Sequence, residues 1–303
     1  MATAFATTIT DDGTTLEGPW RAPRQMLGDQ TYDGHASVHD DAVAADLGLS
    51  GAPIEGPTHF SQLDPLGVAL FGDRWFVDGC ISAHFETMVV EGEQVKATAR
   101  RTSPTTADAT AVNINGDTVL TASLSVGAGP TLLSQRLAAF QARNPGDLFI
   151  IDRLSVGMRT GPHDATLTMS DHNGDLYPFS LADKLEVITE PSPWFAMASP
   201  WGAPVVPSEM LSVMAHRGGS GLPVRGPAVG LFVDLEVRRH QPVLVGASLT
   251  VDHEVVAVGQ SRRVESYWTT STIRSDSGEI VAEVLLHQGV FKASYAGYPT
   301  ADG

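Results

Sequence analysis

Short stretches that alternate apolar and polar residues dominate the chain, and long runs with helical spacing are few. Ile81–Val90 (ISAHFETMVV) and Gln94–Arg100 (QVKATAR) have the two-residue period of a half-buried antiparallel sheet, with the turn-like Glu91-Gly92-Glu93 between them. Ala111–Val126 sets Asn115-Gly116 between two β-rich flanks, a strong hairpin signal because both residues accept positive φ. The C-terminal third repeats this grammar in Leu231–Val237, Ser248–Val258 and Ser266–Arg274, then Ser277-Gly278 and Glu279–Phe291. Asn173-Gly174 predicts one more hairpin, between Ala165–Ser170 and Asp175–Phe179. Ala42–Leu49 reads as a short helix capped by Asp40 or Asp41.

The chain also resembles itself. Gly51–Ser61 (GAPIEGPTHFS) and Gly202–Ser212 (GAPVVPSEMLS) align without a gap at an offset of 151 residues, with Ile54 on Val205 and Phe60 on Leu211. Phe85-Glu86 stands opposite Leu235-Glu236, and NGDTVLTASL resembles SGEIVAEVLL. Three similar blocks in one order point to duplication. Residues 1–135 would form one unit and 136–303 the other, with the linker in Gly127–Asp147 and its amphipathic stretch Leu132–Ala142. A sheet that must bury one face can wrap around a single helix from each half, which is an α+β arrangement.

Composition narrows the function classes. The 303 residues are 42% hydrophobic, enough for packed cores and too many for a disordered chain. A formal net charge of −16 argues against a general nucleic-acid binder, which needs basic residues against phosphate. No apolar run approaches the ~18 residues of a membrane span, and the start, MATAFATTITDDG, lacks the charged and apolar regions of a secretory signal. A cytoplasmic protein is therefore expected. The lone Cys80 supports neither an internal disulfide nor a thiolate metal site. His35 and His39 would share a metal only on a helix, which Gly34 and Ser37 oppose, so no metal is expected. No phosphate-loop or dinucleotide pattern follows a strand, so no nucleotide cofactor is implied either.

Tyr32–Ala45 (YDGHASVHDDAVAA) followed by LGLSGAPIEGPTHF resembles the MaoC-like dehydratases of the hotdog superfamily, in their tandem double-hotdog form. That family carries a Gly-Asp-x-Asn-Pro-Ile/Leu-His segment, an Asp two residues later, and a Gly-x-Pro-Ile-(x)-His-Gly-Met block that opens the central helix. His39 falls on the family histidine, Asp41 on the following Asp, and Gly56 on the helix-opening glycine. The pattern departs at the catalytic Asp, whose place is taken by Gly34, with Asp33 one residue further away; Ala36-Ser37 replaces Asn-Pro. In the second half the corresponding stretch, Glu190–Trp201, holds no histidine, so catalysis would belong to the first half.

The resemblance implies a hydratase or dehydratase acting on an enoyl or 3-hydroxyacyl thioester, with coenzyme A present only as part of the substrate and a homodimer as a further expectation. His39 would be the general acid–base, Asp33 its orienting carboxylate, and the Gly56 backbone the donor to the enolate oxygen. Asp41 competes with Asp33 for the carboxylate role. Glu55 and His59 stand where the family keeps small or apolar residues, and are expected to touch substrate. Trp194 and Trp201 would supply an apolar pocket wall or fill the core. The paired arginines Arg100-Arg101, Arg238-Arg239 and Arg262-Arg263 are the compact positive sites that could hold substrate phosphates. A hotdog thioesterase using Glu55 or Asp64 is the alternative enzyme, and a non-catalytic ligand-binding double hotdog is the third reading. His84 is expected to be a packed or exposed sheet residue.

Overall fold

The structure, a computed structural model, describes residues 4–31 and 34–299. Eleven antiparallel strands form one continuous sheet in the order β1-β2-β4-β5-β6-β3-β8-β11-β10-β9-β7. The N-terminal side comprises β1 (Thr10–Asp11), β2 (Thr15–Glu17), β3 (Gly79–Phe85), β4 (Val95–Arg101), β5 (Thr106–Asn113) and β6 (Thr118–Val126). The C-terminal side comprises β7 (Arg159–Asp164), β8 (Gly230–Arg239), β9 (Leu249–Gln260), β10 (Val264–Ser275) and β11 (Ile280–Phe291). The two sides meet where β3 pairs with β8, Ala83 opposite Leu235.

Each side wraps one buried helix. The helices run in chain order from α1 (Asp41–Asp46), α2 (Phe60–Phe71), α3 (Arg74–Asp78) and α4 (Leu132–Gln141) to α5 (Leu181–Val187), α6 (Pro193–Ala196) and α7 (Ser208–His216). A single 3-10 turn, Gly56–His59, leads into α2. Phe60, Leu63, Leu66 and Leu70 bury one stripe of α2, while α7 is buried along its whole length. Strand alternation faces them: Val95, Ala97 and Ala99 point inward from β4, and Leu249, Val251 and His253 from β9. Helix α4, within the expected linker, covers the opposite face of the sheet and buries Leu133 against Ala257 and Trp268. Among the described residues no helix is long and apolar enough to cross a membrane.

The expected strands are present within a few residues, and the α+β architecture with them. Two expectations fail. Asn173-Gly174 makes a turn, with Gly174 at φ +81°, but its flanks form no hairpin. The Asn173 side chain is buried and donates to the Phe179 carbonyl (2.8 Å), which folds the segment back as a loop ahead of α5. The strand that does form there is β7, which sequence pattern missed because Gly161 and Pro162 interrupt it; Pro is admissible because β7 is an edge strand. The repeat also shifts. Both segments approach the loop after a strand, through Pro53 opposite Val90 and Val205 opposite Leu244. Ile54 N–H donates to Val89 O and Val206 N–H to Val243 O (both 2.8 Å), so Ile54 corresponds to Val206, one residue beyond the gapless sequence match.

Candidate active site

A cavity of about 330 Å³ opens between the start of α2, the end of α7 and the neighbouring ends of β8, β10 and β11. Its wall is mostly apolar, with Leu27, Ile54, Phe85, Leu231, Leu286 and Val290 among its lining residues. His39, Glu55, Gly56 and His59 all lie on it, as do His35, Tyr177 and His216. Residues from three separate stretches, 35–59, Tyr177 and His216, thus converge on one space.

His39 is held from both sides. Its backbone N–H donates to Ser37 Oγ (3.1 Å), and the next residue, Asp40, caps α1 by accepting from Val43 N–H (2.9 Å). The ring's Nδ1 lies 2.6 Å from the Pro53 carbonyl. A carbonyl only accepts, so Nδ1 carries the proton and Nε2 the lone pair. Burial lowers the pKa of His39, partly opposed by the Pro53 hydrogen bond, so the neutral, basic form prevails at neutral pH. Asp41 is not its partner: the Asp41 carboxylate accepts from Ala52 N–H (3.1 Å) instead. Nor does Asp41 cap the helix, since Asp40 does. Asp33 lies outside the described residues. Gly34, at the family's Asp position, has φ +69°, where a side chain would be strained.

Gly56 opens the 3-10 turn ahead of α2, so its N–H has no acceptor within the turn. The absence of its side chain has a packing cause. A Cβ there would meet the Phe85 ring at 2.8 Å, so the glycine admits Phe85 rather than substrate. Glu55, immediately before, is 8% exposed, and its Oε1 has no hydrogen-bond partner among the described residues. Burial, countered in part by Lys184 and by a Tyr177 hydrogen bond, pushes the Glu55 carboxyl up to about 7. His59 is also buried, with Nδ1 unpartnered, and burial lowers its pKa to about 4.

His216, at the end of α7, was not singled out by sequence. Its Nδ1 donates to the Ser212 carbonyl (2.9 Å), which leaves the buried Nε2 lone pair without a partner among the described residues; burial lowers its pKa to about 3. Lys184 and Glu209, equally unforeseen, form a buried ion pair of 2.9 Å beside Glu55.

Other expected site residues lie elsewhere. Trp194 and Trp201 do not line the cavity. Trp194 is 6% exposed and packs edge-on against Phe76 (5.6 Å) and Trp201 (5.8 Å), so the pair fills core. Asp64 is fully buried, accepting from Trp75 Nε1–H (2.8 Å), Ser208 N–H (3.2 Å) and the Ser208 hydroxyl. Arg239, far from being a surface cation, is 2% exposed and joins this network through Ser208 Oγ (3.1 Å). Arg100 is paired with Asp108 (3.0 Å). His84 belongs to a cluster under α4, where Asp234 accepts from His84 (2.8 Å), His287 (2.6 Å) and Arg136 (2.7 Å), all away from the cavity lining.

Comparison with solved structures places this architecture. A double-hotdog protein from Mycobacterium tuberculosis superposes with a TM-score of 0.52 over 96% of this chain and 97% of that one, at 12% identity. A MaoC domain protein of the dehydratase class from Chloroflexus aurantiacus J-10-fl gives 0.50 over 83% and 85%, at 13% identity. The chain has the double-hotdog fold. An acyl-CoA thioesterase II from Mycobacterium marinum is a looser match, with a TM-score of 0.44 over 97% of both chains at 11% identity. No family model matches the chain, and no curated protein matches it in sequence. In this double hotdog, the cavity lies at the end of the paired central helices where α2 begins and α7 finishes.

Proposed function

We propose that the protein is a hydratase or dehydratase acting on an enoyl or 3-hydroxyacyl thioester, through His39. The observation that carries this is the Nδ1 contact to Pro53, which leaves a neutral imidazole lining an apolar cavity that Gly56 also lines. In the hydration direction His39 Nε2 takes a proton from water as the oxygen bonds to the β-carbon. The π electrons move toward the thioester carbonyl, whose developing charge the Gly56 N–H stabilises. An apolar wall suits an acyl chain and excludes competing water. Hydrolysis of an acyl thioester is the second reading, and it draws on Glu55 as a carboxylate near the same space. Asp64 does not contribute to it, because its oxygens are occupied inside the core.

Purified protein assayed against a panel of enoyl-CoA thioesters should consume the conjugated enoyl absorbance. His39→Ala should lower kcat by at least ~10²-fold, the scale of losing an acid–base group. Its melting behaviour should be nearly unchanged. Release of free thiol without loss of enoyl absorbance, or a fully active His39→Ala enzyme, would overturn the hydratase reading.

A further inference from the structure

The cavity holds a carboxyl that the family pattern does not provide for. The usual Asp position is Gly34, and the Asp41 carboxylate is bound to Ala52 N–H. Among the described residues, the other carboxylate on the lining is Glu86, which is exposed to solvent. Glu55 differs from both. It lies two residues beyond Pro53, whose carbonyl fixes His39, and Glu55 and His39 line the same cavity. Its side chain is more than nine-tenths buried, and its Oε1 has no hydrogen-bond partner among the described residues.

Charge arithmetic settles the form this carboxyl takes. Lys184 from α5, Glu209 from α7 and the Tyr177 hydroxyl act on it directly, and His39, His59 from the 3-10 turn and His216 from α7 line the same cavity. The histidines are held neutral by burial. Two carboxyls therefore share one ammonium, and Lys184 is committed to Glu209 at 2.9 Å. A second unpaired anion in this space is unfavourable, so Glu55 keeps its proton near neutral pH. A protonated carboxyl is an acid and a poor base, which also weighs against hydrolysis by Glu55 as water activator.

We propose that Glu55 is the second catalytic residue of this site, a general acid that delivers the proton on Oε1 to the α-carbon while His39 takes one from water. The proposal rests on the hydratase reading. In the step, the water oxygen bonds to the β-carbon, its proton goes to His39 Nε2, and the enolate collapses with transfer of the Glu55 proton to the α-carbon. The imidazolium and carboxylate left behind return to their starting forms by moving one proton through a following water. In dehydration the same groups exchange roles. Environments that push two titratable groups in opposite directions are the arrangement that assigns one as acid and one as base.

The test compares wild type, Glu55→Gln, Glu55→Asp and His39→Ala in hydration of an enoyl-CoA, with pH profiles and thermal melts. Gln is nearly isosteric with a protonated Glu, so Glu55→Gln should fold normally. It should lose ~10²–10⁴ in kcat with KM little changed, and Glu55→Asp should recover part of the loss. In wild type, kcat/KM for hydration should fall as pH rises through about 7, where Glu55 ionises, and Glu55→Gln should lack that alkaline limb. A Glu55→Gln enzyme that keeps wild-type kcat, or keeps the alkaline limb, while His39→Ala is inactive would remove Glu55 and leave the hydratase reading standing. Full activity in His39→Ala would bring down that reading and this proposal together.

Discussion

Removing Asp64 should destabilise the protein severely without touching the chemistry. The carboxyl is fully buried, and so is the Arg239 guanidinium; Ser208 links them, accepting from Arg239 and donating to Asp64. Burial raises the Asp64 pKa and lowers that of Arg239, while their mutual attraction opposes both shifts. Asp64→Ala strips Arg239 of its counter-ion and orphans the Trp75 indole N–H and the Ser208 N–H. Breaking a buried pair from one side costs about 3–5 kcal/mol, because the remaining charge stays desolvated. Replacing both partners by apolar residues, as in Asp64→Leu with Arg239→Met, should cost far less, because no charge remains to be buried. Urea unfolding followed by tryptophan fluorescence reads both variants through a shift in midpoint at unchanged slope. At permissive temperature, turnover by folded Asp64→Ala should match wild type. A cost below about 1 kcal/mol would show that the network does not hold Arg239 as described. Lost turnover in a well-folded variant would instead return Asp64 to the chemistry.

Two further outcomes follow from packing. A Cβ on Gly67 would fall 2.3 Å from the Trp75 indole, so Gly67→Ala must displace the ring that donates to Asp64; a cost of about 1–3 kcal/mol is expected in the same urea assay. Trp194→Ala should cost about 3–5 kcal/mol as a truncated core aromatic while leaving KM unchanged, and a raised KM at unaltered stability would return Trp194 to the pocket.

The strands were legible because a sheet with one buried face imposes a period of two, and β4 and β9 obey it along their length. Reading fails where burial comes from both sides. Trp268 and His287 sit on the face opposite α7, yet α4 buries them, so alternation there carries no polarity. The site was half legible. His39, Glu55, Gly56 and His59 are close in sequence and were found from a family pattern. His216, Lys184, Glu209 and Tyr177 arrive from distant elements, and no local spacing announces them. The tryptophans misled for a related reason, since a bulky aromatic run reads the same whether it lines a pocket or fills one.

The corrected repeat register explains why one end of the molecule is open and the other closed. With Ile54 on Val206, Gly56 corresponds to Ser208 and Asp64 to His216. At the closed end, Asp64 of α2 binds the backbone and side chain of Ser208 at the start of α7, and Phe5, Phe76, Trp194 and Phe195 stack over the junction. At the open end, the corresponding residues, Gly56 and His216, both line the cavity, and His216 Nδ1 is bound to its own helix at the Ser212 carbonyl. The consequence is three buried polar atoms without partners on the cavity-lining residues: Glu55 Oε1, His59 Nδ1 and His216 Nε2. Each such atom costs about 1–3 kcal/mol when left unpaired. The closed end shows that this fold can satisfy or bury the equivalent positions. Other buried polar atoms are unpartnered elsewhere in the molecule, Trp268 Nε1 and His287 Nε2 under α4 among them, but these three belong to residues around one apolar cavity, where a bound molecule with its own donors and acceptors would satisfy them.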